Sequence, residues 1–267
     1  MTSKKIAIFG LRDYNFKATK CEILHQEMLN LRIFMLDDGQ KEHLRNEISL
    51  PDVGREGQAK LFNASVLVVG IGAIGSGVSI YLSAMGIGRI GLVDFDTIDM
   101  DDLRYQILYE MPYLNRPKVR CAQKRLEKMS PNTKIEGYFE VFDVKNALAL
   151  MKNYDFIIDA SNDFKTAFIV NQACVLLKKP FSSASYFEYL GQVLSFLPQS
   201  VCLACTFGKI LPPELHEHFR SGVSGFSTGI LGSIQAGEVI SIFCIRILRI
   251  SMSICCLTPL RLWILKN

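Results

Sequence analysis

Blocks of apolar residues separated by polar stretches organise the chain from residue 64 onward. The apolar run Ala64 to Val69 has strand length, and an apolar-periodic stretch through Tyr81 and Met85 follows it as a helix. Arg89 to Val93, Lys134 to Val141 and Asp155 to Ala160 read as further strands. Helices are predicted over Glu56 to Phe62, from Pro117 onward, over Val144 to Lys152 and over Phe164 to Leu177. Pro180 to Tyr186 and Gln192 to Leu197 add two more strands. Such alternation predicts an α/β fold with a mostly parallel sheet and helices on both faces. Ile230 to Leu257 is strongly apolar, but Glu238, Arg246 and Arg249 interrupt it, so a buried core helix is expected and no membrane partner. Residues 1–41 read as an N-terminal arm or small appendage, with strands at Ile6 to Phe9 and Leu31 to Leu36 around a helix from Lys20 to Asn30. Residues 42–267 read as one domain.

Composition narrows this picture only slightly. The chain has 267 residues, 49% of them hydrophobic and 21% charged, which is enough for one large α/β domain. Its net charge of +4 is small and its lysines and arginines are scattered, so no nucleic-acid partner is expected. Eight cysteines are many for this length; Cys174 and Cys244 fall in predicted core elements, where a reduced thiol packs as a small hydrophobe. Ile6 to Leu11 is too short for a secretory signal, and a reducing, cytoplasmic location is expected.

The chemistry gathers at predicted strand ends. Gly70, Gly72 and Gly75 stand at G-x-G-x-x-G spacing between a strand and a helix. That arrangement suits a tight turn, close approach of backbone N–H groups to a phosphate, and an anion at the helix N-terminus. A close helix–strand packing turn uses the same residues. Asp94 ends the second strand, 19 residues after Gly75, where a carboxylate can meet a ribose. The pattern predicts a Rossmann-like doubly wound sheet with a nucleotide site. Asp96 to Gln106, holding Asp99, Asp101, Asp102, Arg104 and Gln106, is too polar for core and reads as a site loop. Lys118, in the first turn of its helix, opposes the helix dipole; it is either a solvated surface lysine or the partner of a bound anion. Asp159-Ala160-Ser161-Asn162-Asp163 gathers polar groups at another strand end. Cys202 and Cys205 form half of a four-thiolate zinc site; His216 and His218 are the candidates to complete a Cys2His2 set. No G-x-S-x-G, H-E-x-x-H or Walker A lysine occurs.

Taken together, several runs resemble the ThiF/MoeB/HesA family of adenylating enzymes, relatives of the ubiquitin-activating enzymes. They are Gly54 to Leu61, Val66 to Gly75, Leu92 to Ile98, Gln106-Ile107-Leu108, Arg116-Pro117-Lys118, Cys202 with Cys205, and Gly229 to Glu238. The resemblance covers about residues 45–240. It implies ATP-dependent adenylation of a C-terminal carboxylate, on a small ubiquitin-like sulfur-carrier protein or a short peptide, by a homodimer or a heterodimer with a paralogue. It further implies that Gly70, Gly72, Ala73 and Gly75 hold the nucleotide, with Asp94, Asp96 and Asp102 beside it. Lys118 and Gln106 then face the phosphates, Asn162 or Asp163 takes Mg2+, and Cys202 with Cys205 takes zinc.

Departures from the family pattern sit at these same positions. Its second loop glycine is Ala73. Its Asn-x-x-Arg-Gln motif reads Asp102-Leu103-Arg104-Tyr105-Gln106, so its arginine position is Tyr105, with Arg104 one residue before. Its magnesium aspartate falls on Asn162, with Asp163 one place later, and its cross-dimer arginine falls on Asn46, with Arg45 one place before. Three readings follow: an adenylyltransferase that uses the shifted residues, with Arg104, Lys118 and Gln106 catalytic; a degenerate nucleotide- or partner-binding subunit; and, weakest, an NAD-dependent oxidoreductase.

Overall fold

The computed structural model describes residues 44–187, 190–207 and 223–244, together with the backbone of strands at 253–258 and 261–266. The strands and helix expected within residues 1–41 lie outside the described residues, as do His216 and His218.

A short helix α1 (Arg45–Ile48) leads to α2 (Gly54–Asn63), which delivers the chain into β1 (Ser65–Val69). Next come α3 (Ala73–Ala84), β2 (Arg89–Asp94), α4 (Lys118–Met129), β3 (Lys134–Phe139), α5 (Ala147–Met151), β4 (Phe156–Asp159) and α6 (Phe164–Leu177). They are followed by β5 (Phe181–Phe187), β6 (Leu190–Phe196), α7 (Leu203–Phe207) and α8 (Gly225–Cys244). The six strands form one sheet in the order β3-β2-β1-β4-β5-β6, parallel from β3 through β5. Only β6 runs antiparallel, because the connection from Phe187 to Leu190 is far too short for a crossover. The predicted doubly wound, Rossmann-like α/β fold is therefore present.

All five residues of β1 are buried because both faces of the sheet are covered. Val66 and Val68 face one core with Ile74 and Val78 of α3 and Leu231 of α8; Leu67 and Val69 face the other with Met151 of α5 and Val170 of α6. Strand order reverses between β1 and β4, so their carboxyl ends open a crevice at the centre of the sheet.

Helix α8 corrects the expectation of one long core helix. It ends at Cys244 among the described residues, and Ser253–Thr258 is a strand, β7, paired antiparallel with β8 (Arg261–Lys266). Periodicity does not separate a short apolar helix segment from a strand, and Ile254 to Leu257 is such a run. At 20 residues α8 has the length and composition to cross a membrane, yet Leu231, Gln235, Ala236 and Val239 are buried in this fold. It lies so close to α3 that a Cβ on Gly232 would come within 2.7 Å of the Ile74 carbonyl oxygen. Its Gln235 Nε2 donates to the Asp159 carbonyl at 3.0 Å, tying the helix to the end of β4.

Candidate active site

The turn after β1 is built as the glycine spacing requires. Gly70 has φ +85°, and a Cβ there would lie 2.7 Å from Ser161 Cα. At Gly75 a Cβ would fall 2.0 Å from the Gly70 carbonyl oxygen, so the first turn of α3 closes onto the loop itself. Gly72 is different: its nearest neighbour would be Gln106 Nε2 at 3.9 Å, leaving open space in front of the backbone. Ala73 begins α3 and is buried. The first turn of any helix presents N–H groups without intrahelical partners, and Gly72 is the N-cap of this one.

Asp94 fixes the same loop. Its Oδ2 accepts from the Ile71 N–H at 2.7 Å and its Oδ1 from the Asp96 N–H at 2.8 Å. Burial raises its pKa, and these two N–H groups work against the rise. Tyr109 completes the brace by donating to the Ile71 carbonyl at 2.6 Å; nothing in its spacing marked it beforehand. Beside the loop lies a cavity of about 440 Å³, lined by Gly70, Asp94, Asp96, Phe142, Asp163 and Ile169 among others. Its size and its mixture of apolar wall and carboxylates suit a nucleoside.

Lys118 is neither solvated nor unpaired. Its Nζ lies 3.1 Å from Asp102 Oδ2 and 3.5 Å from Asp96 Oδ2, and the Lys118 and Asp102 side chains are 7% and 6% exposed. Burial disfavours the ammonium, but Asp102, Asp94 and Asp96 more than offset this, and the lysine titrates above its ordinary range. The helix dipole is answered by carboxylates of the chain itself. Gln106 Nε2 also donates to Asp102, leaving Gln106 Oε1 buried without a partner.

At the end of β4 the two neighbouring polar residues have separate tasks. Asn162 sits at φ +55°, and its Oδ1 accepts from the Tyr186 N–H of β5 at 2.8 Å. Asp163 lines the cavity and caps α6, its Oδ2 accepting from the Thr166 N–H at 2.8 Å. The one-residue shift thus falls in a turn, not in a strand. Asp159, just before them, is fully buried, and burial pushes its carboxyl up to about 6 against hydrogen bonds from Ser161 and Ser183. Its place at the end of Phe156-Ile157-Ile158 was the available signal for it.

Two expected groups are not brought to this cluster. Arg104 closes a 3₁₀ turn (Asp102–Arg104) with its side chain 78% exposed and its Nε 3.8 Å from Asp101. Cys202 and Cys205, at the start of α7, hold their sulfurs 3.4 Å apart. Among the described residues, no group of three or more His, Cys, Asp or Glu is placed to hold a metal, so the pair lacks further ligands there.

A glycine loop and a carboxylate at the next strand end beside one cavity, with a buried ammonium paired to Asp96 of its lining, define a doubly wound protein with a polar crevice at the carboxyl edge of its sheet. Comparison with known proteins makes the class definite: the ThiF family profile matches residues 44–251, and the chain belongs to that family. It is 36% identical over 208 residues to the sulfur carrier protein adenylyltransferase of Thermus thermophilus, covering 75% of this chain and 77% of that one. It is 39% identical over 198 residues to the adenylyltransferase and sulfurtransferase MOCS3 of Xenopus laevis, covering 73% of this chain but 44% of the relative. The chain thus spans about half the length of the MOCS3 relatives it matches. In structure it is similar to E. coli MccB with ATP (TM-score 0.74, 18% identity, 94% of this chain and 80% of that one) and to PaaA (TM-score 0.73, 19% identity, 96% and 77%). At that identity the likeness concerns the fold.

Proposed function

We propose that the chain is an ATP-dependent adenylyltransferase that activates the C-terminal carboxylate of a small ubiquitin-like sulfur-carrier protein or a peptide. The observation that carries this reading is Lys118, a buried ammonium that shares Asp102 with Gln106, whose Nε2 is the group nearest the open face of Gly72, in a chain of this family. Bound ATP supplies an electrophilic α-phosphorus and a pyrophosphate leaving group. The chain's own part is positioning and charge stabilisation. The Gly70–Gly75 backbone takes phosphate oxygens, and Asp94 takes a ribose hydroxyl. Lys118 and Gln106 stabilise charge that develops on the phosphates. Asp163, a carboxylate lining the cavity, suits Mg2+ better than the Asn162 amide, whose oxygen is committed to β5. One or two protein carboxylates plus phosphate oxygens are a usual set for this ion.

A second reading, the degenerate subunit, is favoured by the outward direction of Arg104 and by the pairing of Lys118 with Asp102. Pairing of two chains is proposed under either reading. Exposed Tyr81, Ile107, Phe226 and Ile230 line one apolar groove between α3 and α8, and sedimentation as a stable monomer at micromolar concentration would count against it. ATP–pyrophosphate exchange separates the two functional readings. Exchange that depends on a carrier carboxylate is expected. ATP binding without exchange, for carriers and peptides alike, would assign the chain to the second.

A further inference from the structure

The family pattern places a neutral asparagine where this chain has Asp102, and the structure shows what the added charge does. Asp102 is buried and anchored to its own loop: its Oδ2 accepts from the Asp99 N–H at 3.0 Å, while the Asp102 N–H donates to Asp99 Oδ1 at 2.9 Å. It therefore does not swing aside. Lys118 Nζ reaches both of its oxygens, at 3.1 Å and 3.3 Å, and Gln106 Nε2 donates to it as well. These are the two side chains that the proposed function turns towards phosphate.

A carboxylate accepts hydrogen bonds and gives none. It therefore fixes the Gln106 amide with nitrogen towards Asp102, and this is the orientation that strands Gln106 Oε1 without a partner. An asparagine at 102 could instead donate to that oxygen, turning the Gln106 nitrogen towards the cleft. An arriving triphosphate meets Asp94, Asp96 and Asp102 around an ammonium that is already paired. To engage it, phosphate must compete with a like-charged group held in low-dielectric surroundings.

We propose that Asp102 acts as an internal substitute for phosphate: it occupies Lys118 and Gln106 in the free protein and thereby sets how weakly the cleft holds polyphosphate. This rests on the reading that the cleft takes ATP. The residue is a positioning residue, acting through Lys118 and Gln106, and its removal should strengthen binding.

The test is calorimetric titration of the full chain and of Asp102→Asn with three probes: Mg2+–ATP, inorganic tripolyphosphate without divalent metal, and adenosine. The expected result is a gain of about tenfold or more for ATP in the variant, the scale of one removed buried charge. Tripolyphosphate should gain at least as much, and adenosine, which has no phosphate, should be unchanged. Equal or weaker ATP binding by Asp102→Asn, or an equal gain for adenosine, overturns the proposal while leaving the functional reading intact. Failure of both proteins to bind ATP or tripolyphosphate overturns both. Thermal melting checks the fold, and Asp102→Ser repeats the comparison should the asparagine variant fail to fold.

Discussion

Two ion pairs in this molecule have the same kind of partners and opposite degrees of completion. Where β2 pairs with the edge strand β3, Glu136 receives Arg89 at 2.6 Å, Tyr154 at 2.9 Å, Tyr138 at 3.0 Å and Lys134 at 2.7 Å, while the Arg89 guanidinium lies 4.5 Å from the centre of the Tyr154 ring. Burial works to raise the Glu136 pKa, yet these donors together hold it down to about 2. At the sheet's carboxyl edge, Lys118 faces Asp102 and Asp96, and Gln106 keeps an orphaned oxygen. The first cluster is saturated and braces β2 to β3. In the second, one buried acceptor, Gln106 Oε1, is left without a donor, and an unsatisfied buried group of this kind calls for an explanation.

The largest expected effect breaks the second pair. Lys118→Met leaves Asp102 buried without its cation and should cost about 3–5 kcal/mol of stability; the double variant with Asp102→Asn should recover most of it. Urea unfolding measures both. In the folded fraction of Lys118→Met, exchange should fall at least about a hundredfold, the effect of losing one preorganised charge-stabilising group.

pH sharpens the contrast, because Asp159 and Glu136 shift in opposite directions. The folded Asp159 carboxyl titrates at about 6 against its usual 3.8, so between those values the folded chain binds the extra proton. Its contribution therefore declines as pH rises from about 4 to 6, by roughly 3 kcal/mol in all. Asp159→Asn should remove that slope, seen as the difference between variant and parent in unfolding midpoints across the window. The Glu136 contribution is fully present above its usual 4.5 and is lost as pH falls through about 2.

Smaller effects belong to groups that water reaches. Glu136→Gln should cost only about 1–2 kcal/mol, because Arg89 remains 30% exposed and solvent takes over part of the lost pairing. Arg104→Ala should change unfolding free energy by less than about 0.5 kcal/mol, given an exposed partner at 3.8 Å. A larger loss would mean that Arg104 has partners within the fold.

What was legible in the sequence is what local pattern determines. The run Val66 to Val69, bounded by the glycines at 70, 72 and 75, pointed to a strand covered on both faces followed by a tight turn, and both are present. Asp94 and Asp163 were singled out because strand ends in such sheets collect polar groups, and the structure places both against one cavity. The pairing of Lys118 with Asp102 was not legible, since those residues are sixteen apart and meet only once the loop folds back onto α4. Nor was the direction of Arg104, which a single 3₁₀ turn rotates into solvent. The β7–β8 hairpin was lost to the equal apolarity of helix and strand in that stretch.

At the centre of the proposed function is a crevice beside Gly70 that takes the phosphates of ATP and not a dinucleotide. Parallel calorimetric titrations of the full chain with ATP and with NAD, both with Mg2+ present, test it most directly. One ATP bound per chain, more tightly than NAD, is the expected result. NAD bound more tightly than ATP would contradict it.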